Sequence, residues 1–257
     1  MSASAPDRGA RSGGVREGLR ERLRRTALFP RWINTVHVEP LLTRVRGRAR
    51  GTLLDVGCGR RPFERMFAGQ VTRYLGMDWP SRDDRAYPDV VGNALALPLR
   101  SASVDTVLAT ELMEHLPSPD VFLSEVARVM RRPGTLILTV PFMEPLHEEP
   151  RDFFRFTPHG LRALLERHGF AVEEVLPKGG WWSVVVGSFV SQALYEWANP
   201  EGRDGRRRDN PLALALVVPV CSLAQVLAYV LDRVFRSRRY TLGYVVLATA
   251  PAPGAAC

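Results

Sequence analysis

Residues 53–63 read Leu-Leu-Asp-Val-Gly-Cys-Gly-Arg-Arg-Pro-Phe. A short apolar run closes on an acid and then on two glycines, which predicts a buried parallel strand over Thr52–Val56 followed by a sharp turn. Gly57 and Gly59 allow backbone conformations closed to other residues and a close approach to a ligand. Pro62 suits the first turn of a helix, where its missing N–H costs little, so a helix is expected over Pro62–Ala68. In such a strand–turn–helix unit a ligand lies outside the strand's carboxyl end, beside the helix N-terminus. Read alone, the stretch also suits a purely structural turn in any α/β protein.

The chain downstream continues the alternation of strand and helix. Arg73–Asp78 predicts a second strand ending in an acid, 23 residues after Asp55, with Trp79 behind it. Asp89-Val-Val-Gly-Asn-Ala predicts a third strand and a turn at Asn93 and Ala94. Ser103–Thr110 predicts a fourth strand, followed by Glu111-Leu-Met-Glu-His-Leu. Val121, Phe122, Val126, Val129 and Met130 form the sheet-facing side of a helix over Pro119–Met130, with Arg131-Arg132-Pro133-Gly134 ending it. Thr135–Val140 predicts the fifth strand.

The glycine turn resembles the first motif, Asp-x-Gly-x-Gly, of class I S-adenosylmethionine-dependent methyltransferases, in the variant with Pro-Phe after the turn. The acid at 78, the turn at 93 and the block 105–140 follow in that family's order. A nicotinamide-dinucleotide fingerprint fits less well, because it requires a small residue where Pro62 stands. The family's frequent third glycine is Arg61 here, and its frequent Asp is Asn93. The resemblance covers residues 50–178 and, loosely, 240–250. It implies S-adenosylmethionine as cofactor, bound by Asp55, Gly57, Cys58, Gly59, Asp78, Trp79, Asn93, Ala94 and Glu111. Asp78 would take the ribose hydroxyls and Trp79 would pack on the adenine. His115 is expected near the site in a structural role.

Methyl transfer is an in-line displacement in which the protein chiefly supplies alignment, but a hydroxyl acceptor also benefits from a base. The loop Pro141–Pro158 follows the fifth strand and faces the ligand edge of the sheet. It carries His147, histidine being the side-chain type best suited to proton exchange at physiological pH, with Glu148 and Asp152 as partners or direct participants. These three are the catalytic candidates. Arg155 is read either as a holder of an acidic substrate group or as a partner of Asp152; in the latter case His147 is an ordinary loop residue. Phe153, Phe154 and Phe156 are expected to pack. Thr157 caps the next helix with Pro158 at its first position, and Gly169 stops it.

Composition bounds the rest. The net charge of +8 resides in the first 50 residues, with 12 Arg against 4 acids; residues 51–257 balance at 23 basic and 23 acidic groups. Val15, Leu19, Leu23 and Ala27 recur every four residues within an arginine-rich helix expected over Val15–Phe29, suited either to an anionic membrane surface or to a solvated cap. Residues 1–14 are expected to be disordered. The three cysteines form no spaced pair, so neither a disulfide framework nor a zinc site is indicated, and no metal ligand set is read from the sequence. The N-terminus lacks the apolar segment of a secretory signal. A nucleic-acid partner is not expected, since no reader motif appears.

Between a sixth strand at Ala171–Leu176 and a seventh at Thr241–Thr249 lie about sixty extra residues. Trp181–Ala198 is largely apolar with one acid; an arginine-rich link follows; Pro211–Leu231 has no charge. The last run is long enough to span a bilayer, but the seventh strand must return to the same sheet. Pro219 is expected to interrupt it. Leu223, Val226, Leu227, Val230, Leu231 and Val234 form a stripe opposite Gln225 and Asp232, the pattern of a one-faced helix. It suits a membrane interface, a lid or a dimer surface.

The expectation is an α/β fold: a Rossmann-like, doubly wound, mostly parallel seven-stranded sheet with an antiparallel last strand and a hydrophobic helical insertion before it. The parts are a basic arm over 1–49, a core over 50–178, the insertion over 179–239, and the last strand and tail over 240–257. The expected activity is S-adenosylmethionine-dependent methyl transfer to a small or lipid-linked acceptor at oxygen, in the cytoplasm or peripherally on the inner face of the membrane. Methylation of arginine or nucleic acid stays open, although Thr110-Glu111-Leu112-Met113 is unlike an amino-methyltransferase motif. A non-catalytic membrane-associated scaffold with the same fold is the alternative.

Overall fold

The computed structural model describes residues 26, 28, 32–79, 88–198, 210–235 and 239–250. The basic helix expected over Val15–Phe29, the disorder expected over 1–14 and the arginine-rich link at 203–208 lie outside the described residues. The chain divides into two compact units, one of residues 37–180 with 237–257, the other of residues 1–36 with 181–236.

The first unit is a seven-stranded sheet in the order β3-β2-β1-β4-β5-β7-β6. Its strands are β1 (Thr52–Val56), β2 (Arg73–Asp78), β3 (Val90–Val91), β4 (Val104–Thr110), β5 (Met130–Pro141), β6 (Ala171–Lys178) and β7 (Gly243–Ala250). β1 to β5 run parallel, and β7 is antiparallel to both of its neighbours. Successive residues pack on opposite faces, as the two-residue period of a strand requires. Leu54, Val107, Leu136 and Val246 pack on one face with Phe122, Val126, Leu161 and Leu165. Leu53, Leu108, Ile137 and Val245 pack on the other with Val38, Leu42 and Phe67. Both faces are therefore covered, which is why the strands are near-continuous apolar runs.

The covering helices in this unit are α2 (Val38–Val45), α3 (Glu64–Phe67), α4 (Pro119–Val129) and α5 (Pro158–Arg167). Thr157 caps α5 by accepting from Gly160 N–H at 3.0 Å, and Gly169 follows at φ 76°, as its sequence predicts. Two boundaries differ from expectation. The helix after the glycine turn is one turn, Glu64–Phe67, because Arg61 takes a left-handed φ of 55° and delays the helical register. α4 stops at Val129, and Met130–Pro141 is already strand, since Met130 pairs with Val104 on the neighbouring strand.

The second unit contains α1 (Trp32–Val36), a π-helical run Ser183–Val190 continuing into α6 (Ser191–Ala198), and α7 (Pro211–Val234). α7 is a single helix of 24 residues that runs through Pro219, which was expected to break it. Proline removes one backbone donor at that point, and the helix carries on because Val217 and Cys221 on either side pack against Ala198. Asn210 caps its start by accepting from Ala213 N–H at 3.1 Å. α7 is polar on its inner side. Gln225 is fully buried and accepts from Ile33 N–H at 3.0 Å, and Asp232 accepts from Trp182 and Ser183 N–H at 2.9 and 3.0 Å, holding the start of the adjoining helical run. Leu212, Leu216, Leu223 and Val234 on its outer side are each more than 60% exposed.

Candidate functional site

The carboxyl edge of the parallel strands carries two groups of polar side chains. The first is built on the turn after β1. Gly57 and Gly59 adopt φ of 73° and 50°, the left-handed region that an L side chain enters at a cost. Met77 O, on β2, accepts from both Gly57 and Cys58 N–H at 2.8 and 3.1 Å. Asp78 Oδ2 accepts from Gly59 N–H at 2.7 Å, and its Oδ1 accepts from Trp79 N–H at 2.7 Å. The acid at the end of β2 therefore clasps the glycine turn at the end of β1. A side chain at Gly59 would meet nothing within 4 Å, so the space beside the turn is open.

Asp55 is buried beneath this turn. Tyr74 donates its hydroxyl to Oδ2, while Oδ1 has no hydrogen-bond partner. Burial pushes its carboxyl up to about 7, against the Tyr74 hydrogen bond, and the nearby charge of Asp78 adds to the rise. Arg61 folds over Gly76 to pair with Asp89 at 2.7 Å. That ion pair offsets the strain of a left-handed arginine at the position where the resembled family has glycine.

The remaining cofactor candidates divide. Asn93 Oδ1 accepts from Leu95 N–H at 2.9 Å, which shapes the turn holding Ala94. The Trp79 ring is 56% exposed beside the turn. Cys58 faces inward: its N–H is taken by Met77, its side chain is buried, and burial pushes its thiol up to about 12.

Glu111, expected at the cofactor, is held in an ion pair. Its Oε1 accepts from Lys178 Nζ at 2.8 Å and from Thr139 Oγ1 at 2.6 Å. Lys178, the one lysine in the chain, is fully buried at the end of β6, and Glu144 Oε1 lies 3.6 Å from the same Nζ. Burial would lower the lysine's pKa, but the charges of Glu111 and Glu144 outweigh it and hold the ammonium charged. Gly243 makes this possible, since a Cβ there would sit 2.5 Å from Lys178 Cε. Nothing in the sequence marked this ion pair, because its members lie 67 residues apart.

The second group is Glu114, His115 and His147. One nitrogen or oxygen from each lies within 4.8 Å of the others. Glu114 is fully buried and neither of its carboxylate oxygens has a hydrogen-bond partner. Burial first, and the charge of Glu111 second, push its carboxyl up to about 9. His115 Nε2 and His147 Nε2 approach Glu114 Oε1 at 3.7 and 4.0 Å. The two rings meet edge to face, with centroids 5.0 Å apart. Glu114 was not singled out from the sequence, because a lone acid in a short 3-10 turn, Met113–His115, carries no spacing signal.

Of the three catalytic candidates, His147 stands in this group, while Asp152 and Glu148 lie outside it. Asp152 is gripped by Arg155 through both carboxylate oxygens at 2.6 and 2.7 Å, and this holds its carboxyl down at about 2. A carboxylate so paired is a poor base; it orients the loop instead, accepting from His147 N–H at 3.0 Å. Glu148 is exposed, at a left-handed φ of 55°, and lies outside the cluster. Phe156 packs against the core as expected, whereas Phe153 and Phe154 are 47% and 37% exposed. Phe154, Phe156 and Arg155 line one wall of an open cleft of about 530 Å³ whose other wall includes Pro119, Leu164 and Arg167.

Residues 54–138 match the family described as a methyltransferase domain. A Mycolicibacterium smegmatis protein named a probable S-adenosylmethionine-dependent methyltransferase is 32% identical over 152 residues, covering 54% of this chain and 59% of its own length. An uncharacterized methyltransferase of Mycobacteroides abscessus is 35% identical over 173 residues, covering 62% and 63%. The chain thus spans less than two thirds of the length of these curated relatives. Among solved structures, an S-adenosylmethionine-dependent methyltransferase from Archaeoglobus fulgidus is similar, with TM-score 0.52 and 16% identity, over 84% of this chain and 94% of the other. The [4+2]-cyclase SpnF is similar to the same degree, with TM-score 0.53 and 18% identity, over 82% and 81%. At such identities the likeness concerns the fold alone.

Proposed function

Taking as premise that this chain carries a class I methyltransferase domain, we propose that it transfers a methyl group from S-adenosylmethionine to an oxygen of a small or lipid-linked acceptor. The observation that carries the reading is the bare buried Oδ1 of Asp55 beside an open, left-handed glycine turn clasped by Asp78. These residues fit the cofactor: an uncompensated carboxylate suits its cationic part, Asp78 is placed for hydroxyls, and the space beside Gly59 accepts a ligand. When bound, S-adenosylmethionine supplies a methyl group on a sulfonium, ready for in-line displacement.

The protein's part is alignment and proton handling. Asp55, Gly57, Gly59 and Asp78 would hold the donor, with the Asn93 turn at the adenine end. On the acceptor side, Pro145 O lies 3.2 Å from His147 Nδ1 and accepts a hydrogen bond from its N–H, leaving Nε2 as the acceptor of a hydroxyl proton. The Asp152–Arg155 pair holds the loop that carries it. Phe153 and Phe154, with their exposed rings, suit an apolar acceptor.

The outer face of α7 supports the second part of the reading, a site of action at an anionic membrane surface. Gln225 and Asp232 are engaged inside their own unit, Leu212, Leu216, Leu223 and Val234 are exposed, and the helix is long and apolar enough to enter a bilayer by length and composition. The basic character of residues 1–50 agrees with an anionic partner.

Isothermal titration of the full chain with S-adenosylmethionine and with S-adenosylhomocysteine is the test. Binding of both, lost in Asp78→Ala, supports the enzyme; no binding of either favours the scaffold reading.

A further inference from the structure

We propose that Glu114, His115 and His147 form a binding site for one divalent first-row transition metal ion, Zn²⁺ or a near relative. Each side chain contributes one ligand atom: a carboxylate oxygen of Glu114 and Nε2 of each histidine.

The argument starts from the far side of the two rings. His115 Nδ1 is 2.5 Å from Arg151 O, and His147 Nδ1 is 3.2 Å from Pro145 O. A carbonyl oxygen only accepts, so each ring carries its proton on Nδ1. Both Nε2 atoms then present lone pairs, and both point at the same oxygen, Glu114 Oε1, from 3.7 and 4.0 Å. Those separations are too long for hydrogen bonds. Two imidazole lone pairs and the carboxyl oxygens of Glu114 thus converge on one space with no hydrogen bond among them, and the proton that burial keeps on Glu114 would leave when a cation takes its place. Glu114 is fully buried there, with neither carboxylate oxygen partnered. Leaving such a group unsatisfied is costly, and a cation in the space satisfies all three at once.

The geometry is close to what a metal needs. Ligands about 2.0–2.2 Å from a tetrahedral ion lie roughly 3.4 Å from one another, so side-chain shifts of a few tenths of an ångström to about an ångström close the site from its present spread of at most 4.8 Å. Two imidazoles and a carboxylate are the donor set of borderline metals and not of calcium or magnesium, which prefer all-oxygen shells. The backbone carbonyls on Nδ1 are the outer partners that orient metal-bound histidines. Three protein ligands leave at least one coordination position open.

The site itself stands on this geometry. Its consequence for the reaction deepens the proposed methyl transfer and rests on it: with a cation present, Nε2 of His147 is a ligand and no longer the proton acceptor named above, and an acceptor hydroxyl in the open position, acidified by the cation, would give its proton to water instead.

The test uses untagged, chelator-treated full-length protein and Co²⁺ alone, without donor or acceptor. The expected result is one equivalent bound, with visible absorption of a nitrogen- and oxygen-ligated site that Zn²⁺ abolishes. Affinity should fall at least about tenfold in His147→Gln and in Glu114→Gln, and His168→Gln, on a separate surface, should leave it unchanged. Thermal unfolding of each variant checks that it is folded; because His147 lies on a loop, His147→Gln carries the test if Glu114→Gln does not fold. Absence of stoichiometric Co²⁺ binding, or binding unchanged in folded His147→Gln, overturns the proposal. Titration with S-adenosylhomocysteine reports separately on the glycine turn, so failure of the metal site and failure of the methyltransferase reading are distinguishable.

Discussion

Tyr74 and Asp55 face each other across β1 and β2: the phenol donates to one carboxylate oxygen and leaves the other bare. A buried acid with half of its hydrogen-bonding capacity unmet is destabilising in the free protein and is the place where a cationic ligand gains most. Tyr74→Phe removes the one side-chain donor. The expected loss of stability is about 1–3 kcal/mol, measured by urea unfolding, with weaker binding of S-adenosylhomocysteine because the carboxylate is no longer held in place.

Asp55 also makes the free protein pH-sensitive. Its folded pKa is about 7, above the ordinary carboxylate value. Between about pH 4 and pH 7 the unfolded chain has lost this proton while the folded chain retains it, so stability falls as pH rises through that window, by about 4 kcal/mol in all. Below it both states are protonated and above it both are ionised, so the contribution is flat. Urea unfolding across this range should show a steeper decline in the wild type than in Asp55→Asn, in which the raised carboxyl of Glu114 still contributes a decline of its own. With S-adenosylmethionine bound as proposed, its positive charge beside the carboxylate, binding should release protons near pH 6.5, measured by calorimetry in buffers of different ionisation enthalpy.

Gly57→Ala places a side chain at φ 73° and brings its Cβ to 3.0 Å from Leu112 Cδ1. The left-handed conformation costs roughly 1 kcal/mol for alanine. The variant should fold with a lowered thermal midpoint and bind the donor at least about tenfold more weakly, because the turn that cradles it can no longer keep its shape.

Lys178→Met removes the buried cation from Glu111 and leaves that acid beside Glu114 and Glu144 without compensation. A loss of about 3 kcal/mol is expected. The double variant with Glu111→Gln should recover much of it, a coupling that a double-mutant cycle in urea measures.

Leu216→Asp with Leu223→Asp alters two exposed positions on the outer face of α7, 68% and 63% exposed. Sedimentation with anionic liposomes should drop several-fold while S-adenosylhomocysteine affinity stays unchanged. Equal sedimentation of the variant and the wild type would remove the membrane part of the proposed function.

Much of the architecture was legible because it is written locally. The run Thr52–Val56, the glycines at 57 and 59, the acid at 78 and the β-branched run before Pro141 each report strand or turn through neighbours in sequence, and the structure places all of them on one sheet in the expected order. Pro62 and Pro219 misled, since the one suggested a longer helix and the other a broken one; the left-handed Arg61 delayed the first helix, and packing of Val217 and Cys221 carried the second through its proline. Of the polar groupings, the Asp152–Arg155 pair was one of two readings open in sequence, whereas the buried ones were not legible. Glu111 and Lys178 are 67 residues apart and Glu114 and His147 lie on separate loops, so no spacing announces them.

The sequence by itself thus determined the sheet, its order of elements and the turn at its carboxyl edge, because hydrophobic period and glycine chemistry act between near neighbours. Only the tertiary structure decided which acids are paired and which are bare. Asp152 is spent on Arg155 and Glu111 on Lys178, while Asp55 and Glu114 are buried with oxygens unmet. That difference depends on burial and on side chains brought together from distant strands, which a one-dimensional pattern does not record.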